Sequence, residues 1–468
     1  MILIRKVASG VFRGVKGLRG GRREKLFGVN GCELAEPKVE FSSSDAGGLI
    51  NDTAIAPGME LRREELFQWE NVADRRAWES LHKAAEFHRV RLERTCFRRL
   101  AQPEARKLWI SFVEHAQIPE GWRNAGFYHC CFDLSVNHWS APDWIWTNSA
   151  LVPHFLRLGR IEDARKLSEG LLSRQLPDGG WRVRDGRDAR GVYGIVGPND
   201  AAYLCDHGML EWYEHSGDER FLTASLRCAD WIMHRASSGN LPYFGWNLRD
   251  GKWMTHANIV DIGFTSGLFC HLYRLLKKEE HLEFAARFLK AYVRAFYQGG
   301  GRFATALDAS GRQRGTGLFM RGQAWALEGL LPFCEIERDP ELLEVTRDTV
   351  RNVLRLQRRG GSWLHQWRPY GLQILSGDDS KGTPVLAAAL RRSRGLMPEA
   401  EHAVLERAVD KAIEWCVRHT ASDGAGAGGV FSWNPEGSLG LNGNVCAACV
   451  YSNAYLCGLT AEERHENE

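Results

Sequence analysis

Apolar and polar positions repeat along most of this chain with a long period. Six segments each open with a polar cluster and continue into a stretch rich in Gly, Ala and other apolar residues. They begin near Asn148, Asp200, Asp261, Arg321, Thr383 and Asn444, so they follow one another at intervals of about 52 to 62 residues. Such an interval accommodates two helices of about 12 to 18 residues and two loops. The pattern therefore predicts consecutive helix pairs.

The two helices of each predicted pair differ in pattern. The second is amphipathic, because apolar positions recur at helical spacing while charged residues fill the opposite face. Examples are Ile161, Ala164, Leu167 and Leu171 in one pair, and Leu343, Thr346, Val350, Val353 and Leu354 in another. The first helix is smaller and more apolar, as in 324–331 and 385–390. This contrast predicts an inner ring of buried helices inside an outer ring of half-exposed ones.

The predicted fold is all-α, a closed (α/α)6 barrel of six helix pairs. Seven pairs result if the helical, charged stretch 61–120 adds one. An open solenoid of the tetratricopeptide type has a period of about 34 residues, which is too short. Sharp turns after the amphipathic helices are expected at the Gly-rich segments 177–181, 299–301, 360–363 and 427–433. The expected organisation is an irregular basic extension over 1–60, a helical lead-in over 61–120 and the barrel over 121–460.

Composition narrows the classes of partner and compartment. The 468 residues carry a net charge of only +3, which does not suggest a nucleic-acid surface. No window of about 18 apolar residues is present to span a membrane. The first 25 residues are basic but lack the apolar core of a secretory signal. We therefore expect a cytoplasmic protein.

The 12 Cys residues form no disulfide framework. Cys130 and Cys131 are adjacent, and Cys446 and Cys449 form a CxxC pair. The sequence offers neither a second pair at zinc-finger spacing nor suitably spaced His residues. We expect reduced, mostly buried thiols in a reducing compartment, and neither a metal nor a cofactor.

The polar openings of the repeats are the candidate functional residues, because the starts of inner helices converge on one end of a barrel. They are Asn148, Asn199, Asp200, Asp261, Arg321, Gln323, Asp378 and Asp379. A carboxylate at a helix start also serves as a cap, and that interpretation stays open for each one. Two carboxylates and an Arg suit sugar chemistry: one acid transfers a proton, the second positions water, and the Arg binds a sugar carboxylate.

Aromatic residues supply the remaining part of such a site. The chain has 17 Trp, whose flat apolar rings bind sugar faces but equally pack helices. Trp181 and Trp363 follow two of the Gly-rich turns and are candidates for the cavity mouth. His207, His256 and His365 lie near the predicted rim. His207 is expected to be a core residue, whereas His256 and His365 are candidates to bind sugar or to tune the pKa of a carboxylate.

One string has a specific resemblance. Residues 321–325, Arg-Gly-Gln-Ala-Trp, resemble a segment of the unsaturated glucuronyl hydrolases of glycoside hydrolase family 88 and the related unsaturated rhamnogalacturonyl hydrolases of family 105. Segments 199–203 and 260–264 match in order and rough spacing, and 378–389 resembles a later inner helix. The resemblance covers about 120 to 460. Those enzymes are (α/α)6 barrels that remove a 4,5-unsaturated uronic acid by hydrating its vinyl-ether double bond, without a metal.

The resemblance also implies roles. Asp261 would protonate the double bond and activate water, and Asp200 would assist by hydrogen bonding to the ring. The expected substrate contacts are Asn199, Arg321, Gln323, Trp325, His256, Trp181 and Trp363. The surroundings of Asp261 also resemble those of the first family aspartate, so the two roles can be exchanged, and Asp206 competes with Asp200.

Two other functions stay open. An epimerase or isomerase of the N-acylglucosamine epimerase type needs two His residues on inner helices, and His207 is the one strong candidate. A non-catalytic carbohydrate-binding barrel is the other, because Met320 and Asn199 depart from the family pattern. The expected partner is in each case a saccharide, for the main hypothesis an oligosaccharide substrate, and the oligomeric state is not predicted.

Overall fold

A computed structural model describes residues 96–461 except 122–123, 135–136, 141–143, 184–194, 248–250, 255–259, 308–312, 315–317, 368–377 and 434–445. The helices of this part are α1 (Gln102–His115), α2 (Ile145–Arg157), α3 (Ile161–Leu172), α4 (Pro198–Leu204), α5 (Glu211–Ser216), α6 (Glu219–His234), α7 (Thr265–Leu276), α8 (Glu279–Phe296), α9 (Met320–Ile336), α10 (Pro340–Leu356), α11 (Gly382–Ser393), α12 (Glu399–Arg418) and α13 (Val450–Ala461). The predicted extension over 1–60, the first part of the lead-in, His256 and Asn444 lie outside the described residues.

The helices form two concentric rings. The inner ring consists of α2, α4 with α5, α7, α9, α11 and α13; a π-helical segment, Cys205–Leu210, joins α4 to α5. Each inner helix packs against the next, and α13 packs against α2, so the ring is closed. The outer helices α3, α6, α8, α10, α12 and α1 each pack against one inner helix. The predicted (α/α)6 barrel is confirmed.

Burial explains the two helix patterns. In α9, 14 of 17 residues are buried, because neighbouring inner helices and the outer helix surround it. In α3, four of 12 are buried: Ala164, Leu167, Ser168 and Leu171. Ile161, predicted on that buried face, is the first residue of α3 and is 38% exposed, so this part of the prediction is wrong.

The ring closes through α1, which the sequence pattern assigned to a lead-in outside the barrel. This helix packs against α13 as the outer member of the sixth pair, and the Trp109 indole donates to the Thr420 hydroxyl at 2.7 Å. Six pairs, rather than seven, therefore account for the described helices. The first outer helix and the last inner helix of the described chain stabilise each other, as expected for a ring without a free end.

The predicted Gly-rich turns are confirmed as repeated close contacts between adjacent outer helices. Gly179, Gly301, Gly361 and Gly428 all have positive φ, between 74° and 106°. A Cβ on any of them would lie 2.0 to 2.5 Å from a backbone carbonyl oxygen of the following outer helix. For Gly428 that oxygen belongs to Leu108 in α1, so the last turn repeats the same contact across the ring closure.

Gly428→Ala is expected to lower the free energy of unfolding by at least about 2 kcal/mol, seen as a lower urea midpoint. The new methyl group would sit 2.0 Å from the Leu108 oxygen, on a backbone with φ of 90° that L-residues avoid. Gly424→Ala is the matched control, since Gly424 has φ of 80° but open space around it, and it should cost about 1 kcal/mol. Equal losses in the two variants would contradict the packing argument.

Short antiparallel strands are the feature that the all-α prediction did not include. They are β1 (Cys131–Asp133), β2 (His138–Ser140), β3 (Ile195–Val196), β4 (Ser237–Ser238), β5 (Leu241–Pro242), β6 (Gly245–Asn247), β7 (Lys252–Met254), β8 (Ala306–Leu307), β9 (Gln313–Arg314), β10 (Leu318–Phe319), β11 (Gln366–Trp367), β12 (Ser432–Trp433) and β13 (Cys446–Cys449). All lie in connections that lead from an outer helix to the next inner helix. They therefore surround the end of the ring at which the inner helices begin.

None of the helices in the described ranges has the length and apolar character needed to cross a membrane.

Candidate active site

A cavity of about 430 Å³, including its open mouth, lies at the N-terminal ends of the inner helices. Every inner helix, or the segment that immediately precedes it, contributes to the wall. The described lining residues are Trp146, Asp200, Tyr203, Asp261, Phe264, Arg321, Trp325, Val385 and Tyr451. Residues about 60 positions apart in sequence are therefore brought to one place by ring closure.

The two carboxylates predicted for acid–base chemistry lie in the same wall. Asp200 is the third residue of α4 and is 2% exposed, while Asp261 lies in a 3₁₀ segment, Val260–Phe264, that leads into α7 and is 1% exposed. The N-cap positions of α4 and α7 belong to Gly197 and Phe264. Neither carboxylate is therefore an N-cap residue, although both lie in the first turn of their helical segments.

Glycines determine how close Asp261 comes to α9. A Cβ on Gly329 would lie 1.9 Å from the Gly263 carbonyl oxygen, and one on Gly322 would lie 2.5 Å from a methyl group of Val260. These two glycines are seven residues apart on one face of α9, so the 3₁₀ segment packs directly on the helix backbone. Arg321, beside Gly322, is thereby brought to the same cavity wall as Asp261.

Arg321 is held by a buried carboxylate. Its Nε lies 3.2 Å from Oδ2 of Asp379, and both side chains are 5% exposed. The Phe319 ring lies 5.2 Å from the guanidinium carbon. Asp379 also accepts hydrogen bonds from the backbone N–H groups of Lys381 and Gly382 at 3.0 and 2.9 Å. Capping is therefore one role of Asp379, and positioning of Arg321 is the other.

The Asp379 carboxylate stays ionised at neutral pH. Burial by itself raises the pKa of Asp379, but the Arg321 charge, the His365 ring and the Gly382 amide outweigh it and hold the pKa well below its ordinary value. His365 Nδ1 lies 3.3 Å from the same oxygen, Oδ2. His365, a rim candidate in the sequence, thus contacts Asp379 and supports Arg321 from behind.

Aromatic residues form much of the remaining wall. Trp325 is 8% exposed and packs edge-on against Phe264 and Phe319, with ring centroids 6.2 and 5.6 Å apart. Trp146 and Tyr451 pack edge-on at 4.9 Å. Sequence reasoning found Trp325 but missed Trp146, Tyr203, Phe264 and Tyr451. Spacing offered a signal for two of them, because Tyr203 and Phe264 lie three residues after the predicted carboxylates.

Several predicted substrate contacts lie elsewhere. Trp181 and Trp363 are both 0% exposed, and their indole N–H groups donate to the Leu171 and Val353 carbonyls at 2.8 Å. Each ring therefore packs on the outer helix that precedes its turn, and the prediction that they line the cavity mouth is wrong. The cause is burial, since a ring closed off from solvent has no face to offer a sugar.

Gln323 and Asn148 have structural roles as well. The Gln323 amide bonds to both backbone groups of Phe303 and to the Phe319 carbonyl, which ties α9 to the preceding connection. The Asn148 amide bonds in the same way to Tyr128. Asn199 is 0% exposed and is not among the described lining residues. The expected substrate contacts of Gln323 and Asn199 are therefore not provided by this arrangement.

The competing aspartate also lies away from the cavity. Asp206 is in the π-helical segment and bonds to His271 Nδ1 at 2.8 Å, so Asp200 is the carboxylate that reaches the wall. Burial lowers the pKa of His271, but Asp206 and Glu214 outweigh it and raise that pKa to about 9. His207 stacks on Tyr203 at 4.0 Å. No His is among the described lining residues, and His256 lies outside the described part of the chain.

A half-buried carboxylic acid lies deeper in the ring. Glu328 is seven residues after Arg321 on α9, and its Oε1 accepts a hydrogen bond from Tyr455 at 2.6 Å. The Tyr455 hydroxyl lies 3.0 Å from that of Tyr203, which lines the cavity. Burial raises the pKa of Glu328 to about 7, although the Tyr455 hydroxyl and Arg392 oppose the shift. Near neutral pH this acid is partly protonated.

Glu328→Gln is expected to flatten the pH dependence of stability between about pH 4.5 and 7. A raised pKa in the folded state means that the wild type loses free energy of unfolding as pH rises through this range, by up to about 3 kcal/mol. The amide stays neutral and still accepts from Tyr455. The urea midpoints of the wild type and the variant should agree at pH 4, and that of the variant should be higher at pH 8. The control is Glu337→Gln, at an exposed site after α9, whose stability should depend on pH as that of the wild type does. The same pH dependence in Glu328→Gln would contradict the raised pKa of Glu328.

By sequence, the chain matches no protein-family model and no curated protein. By structure it is similar to the unsaturated glucuronyl hydrolase of Bacillus sp. GL1, described as responsible for glycosaminoglycan degradation, with 16% identity, 78% of this chain and 97% of that chain covered, and a TM-score of 0.61. An unsaturated glucuronyl hydrolase specific for heparin gives 13% identity, 78% and 98% coverage, and a TM-score of 0.60. A possible member of glycoside hydrolase family 105 from Klebsiella pneumoniae is 15% identical, with 79% of this chain and 95% of that chain covered and a TM-score of 0.55. The chain therefore has the (α/α)6 toroid fold of the unsaturated glucuronyl hydrolases and of family 105.

Proposed function

We propose that this protein is a glycoside hydrolase that removes a 4,5-unsaturated uronic acid from the end of an oligosaccharide. The observation that carries the proposal is the convergence of Asp200, Asp261, Arg321 and Trp325 on one cavity. Proton transfer, binding of a uronate carboxylate and stacking of a sugar ring are the three functions that such an enzyme needs. The fold shared with unsaturated glucuronyl hydrolases supports the same reaction class.

In the proposed reaction, the Asp261 carboxyl group donates a proton to C4 of the unsaturated ring. Water adds at C5 and returns a proton to Asp261, so that one water molecule is consumed and the carboxyl group is regenerated. The resulting hemiketal opens, and the glycosidic bond then breaks to release the shortened saccharide. Asp200 hydrogen-bonds to the ring, the Arg321 guanidinium faces the uronate carboxylate, and Trp325 packs on the sugar. No step requires a metal.

Burial suits the Asp261 role. Asp261 is 1% exposed, and an acid of this chemistry must start the cycle protonated. Asp379 holds Arg321 in position, because the pair is buried and the Asp379 carboxylate is itself fixed by two backbone N–H groups. The two carboxylates thus have separate tasks: Asp379 positions a cation, and Asp261 moves a proton.

The test is incubation of the purified full chain with unsaturated disaccharides of several uronide types. The proposal predicts loss of the ultraviolet absorbance of the C4=C5 double bond, together with release of the saturated sugar. Binding of saturated sugars with no loss of this absorbance would favour the non-catalytic barrel. Conversion of a saturated N-acetylhexosamine to its epimer would favour the epimerase. The described cysteines form no disulfides, which agrees with a proposed cytoplasmic location.

A further inference from the structure

Three thiols from distant parts of the chain meet beside the cavity. Cys131 is the first residue of β1, Cys130 immediately precedes it, and Cys449 ends β13. The two strands pair antiparallel with Cys131 opposite Cys449, and the Val450 N–H donates to the Cys130 carbonyl at 2.9 Å. The three sulfur atoms all lie within 4.8 Å of one another. The cluster is therefore built by the pairing of strands 319 residues apart in sequence.

The sulfur spacing fits a metal ion. Cys130 Sγ lies 3.6 Å from Sγ of Cys449 and 3.6 Å from Sγ of Cys131. Around an ion bound at about 2.3 Å by thiolates, trigonal or tetrahedral geometry separates the sulfurs by about 3.8 to 4.0 Å. Shifts of a few tenths of an ångström would centre the ion. A disulfide needs about 2.05 Å between two sulfurs and would leave the third unused.

The surroundings suit a soft cation. Cys130 is 0% and Cys449 1% exposed, whereas Cys131 is half-buried and offers a route of entry. The Thr147 hydroxyl donates to Cys130 Sγ at 3.1 Å. Carboxylate and imidazole ligands are absent from this cluster of described residues, so the donor set is sulfur alone. Sulfur-only sites select Zn²⁺ and its thiophilic d¹⁰ relatives over hard cations.

We propose that Cys130, Cys131 and Cys449 form a three-thiolate site for a thiophilic d¹⁰ cation of the Zn²⁺ class. Binding would join β1 to β13 next to the cavity, since Tyr451 follows Cys449 by two residues and Trp146 precedes Thr147. An ion held only by the folded chain stabilises the ring at the strands through which it closes. The inference does not depend on the sugar chemistry.

Metal binding to the thiols can be measured on the wild-type protein, without any substitution, as the release of protons. The ordinary pKa of a Cys thiol, about 8.5, lies above neutral pH, so metal binding must displace the thiol protons. One equivalent of Cd²⁺, added to the reduced full chain at pH 7 in weak buffer, should release about three protons.

Cd²⁺ also reports directly on sulfur ligands through its ultraviolet thiolate-to-metal charge-transfer band. The wild type should develop this band with a break at one equivalent, and its thermal midpoint should rise. Cys130→Ser, Cys131→Ser and Cys449→Ser should each weaken Cd²⁺ binding at least about tenfold. Cys416→Ser is the matched control, because Cys416 is equally buried but lies in outer helix α12, and it should bind as the wild type does.

Three outcomes would overturn the proposal. The first is a wild type that releases no protons and shows no charge-transfer band at one equivalent of Cd²⁺. The second is unchanged binding in all three serine variants. The third is an equal loss of binding in Cys416→Ser. Because proton release is measured on the unaltered chain, misfolding of a serine variant does not remove the test, and sugar turnover plays no part in it.

Discussion

Asp261→Asn should reduce turnover of an unsaturated uronide by about 1,000-fold or more. The amide is nearly isosteric with the carboxyl group, but it neither donates a proton to C4 nor accepts one from water. General acid–base catalysis contributes about 100- to 10,000-fold, and here one group would serve in both directions. The measurement is the initial rate at which the C4=C5 absorbance disappears. The urea midpoint should change little, since Asp261 is buried in the cavity wall and its replacement is neutral.

Two further variants test whether the loss of turnover in Asp261→Asn is specific to the proposed role of Asp261. Asp230→Asn changes an exposed carboxylate on outer helix α6 and should keep wild-type turnover. Asp200→Asn should be less damaging than Asp261→Asn if Asp200 only hydrogen-bonds to the ring. A larger loss in Asp200→Asn would exchange the two roles, as the sequence already allowed. Nearly full activity in both variants would remove the proposed chemistry from this cavity.

Arg321→Met should lower the free energy of unfolding by about 3 to 5 kcal/mol, because it leaves the Asp379 charge buried without its main partner. Asp379→Asn alone should also destabilise, since Arg321 then lacks its counter-charge. The double variant should lose less than the sum of the two single losses. Urea midpoints of the four proteins form a double-mutant cycle that measures the coupling.

The pH dependence checks the same pair. The lowered pKa of Asp379 gives a stabilising contribution that is present above the ordinary aspartate range and is lost as pH falls through the folded pKa. Arg321→Met should reduce that acid-side loss, because the carboxylate no longer has a strongly lowered pKa. The positioning role would be contradicted if the losses of unfolding free energy in the two single variants simply added in the double variant, and if stability fell with decreasing pH in Arg321→Met as it does in the wild type.

Local patterns were sufficient for the helix pairs and for the repeat. Apolar spacing of 3.6 residues identifies an outer helix such as α10, where Thr346, Val350 and Val353 are buried as predicted and Leu343 and Leu354 are half-buried. The Gly-rich turns were readable for the same reason: positive φ at Gly361 is a property of the backbone at that residue. The membership of α1 in the ring was not readable, since it depends on contacts between helices at opposite ends of the described chain.

Side-chain direction was the second limit. The sequence places Trp181 and Trp363 after similar turns, but packing alone decides that both indoles point to a carbonyl of the preceding outer helix. Trp146 and Tyr451 reach the cavity, although nothing in their local sequence separates them from packing aromatics. A residue type and its position therefore predict a candidate, and burial decides whether it meets solvent or other side chains.

The amino-acid sequence by itself determined the helical period, the inner and outer character of the helices and the polar openings that include Asp200, Asp261 and Arg321. These are short-range properties, set by spacing along one helix or by one backbone conformation. Tertiary structure alone decided that those openings share one cavity, that Asp379 and His365 support Arg321, and that Cys131 faces Cys449. The physical reason is that ring closure brings together groups whose separation in sequence carries no information about their distance in space.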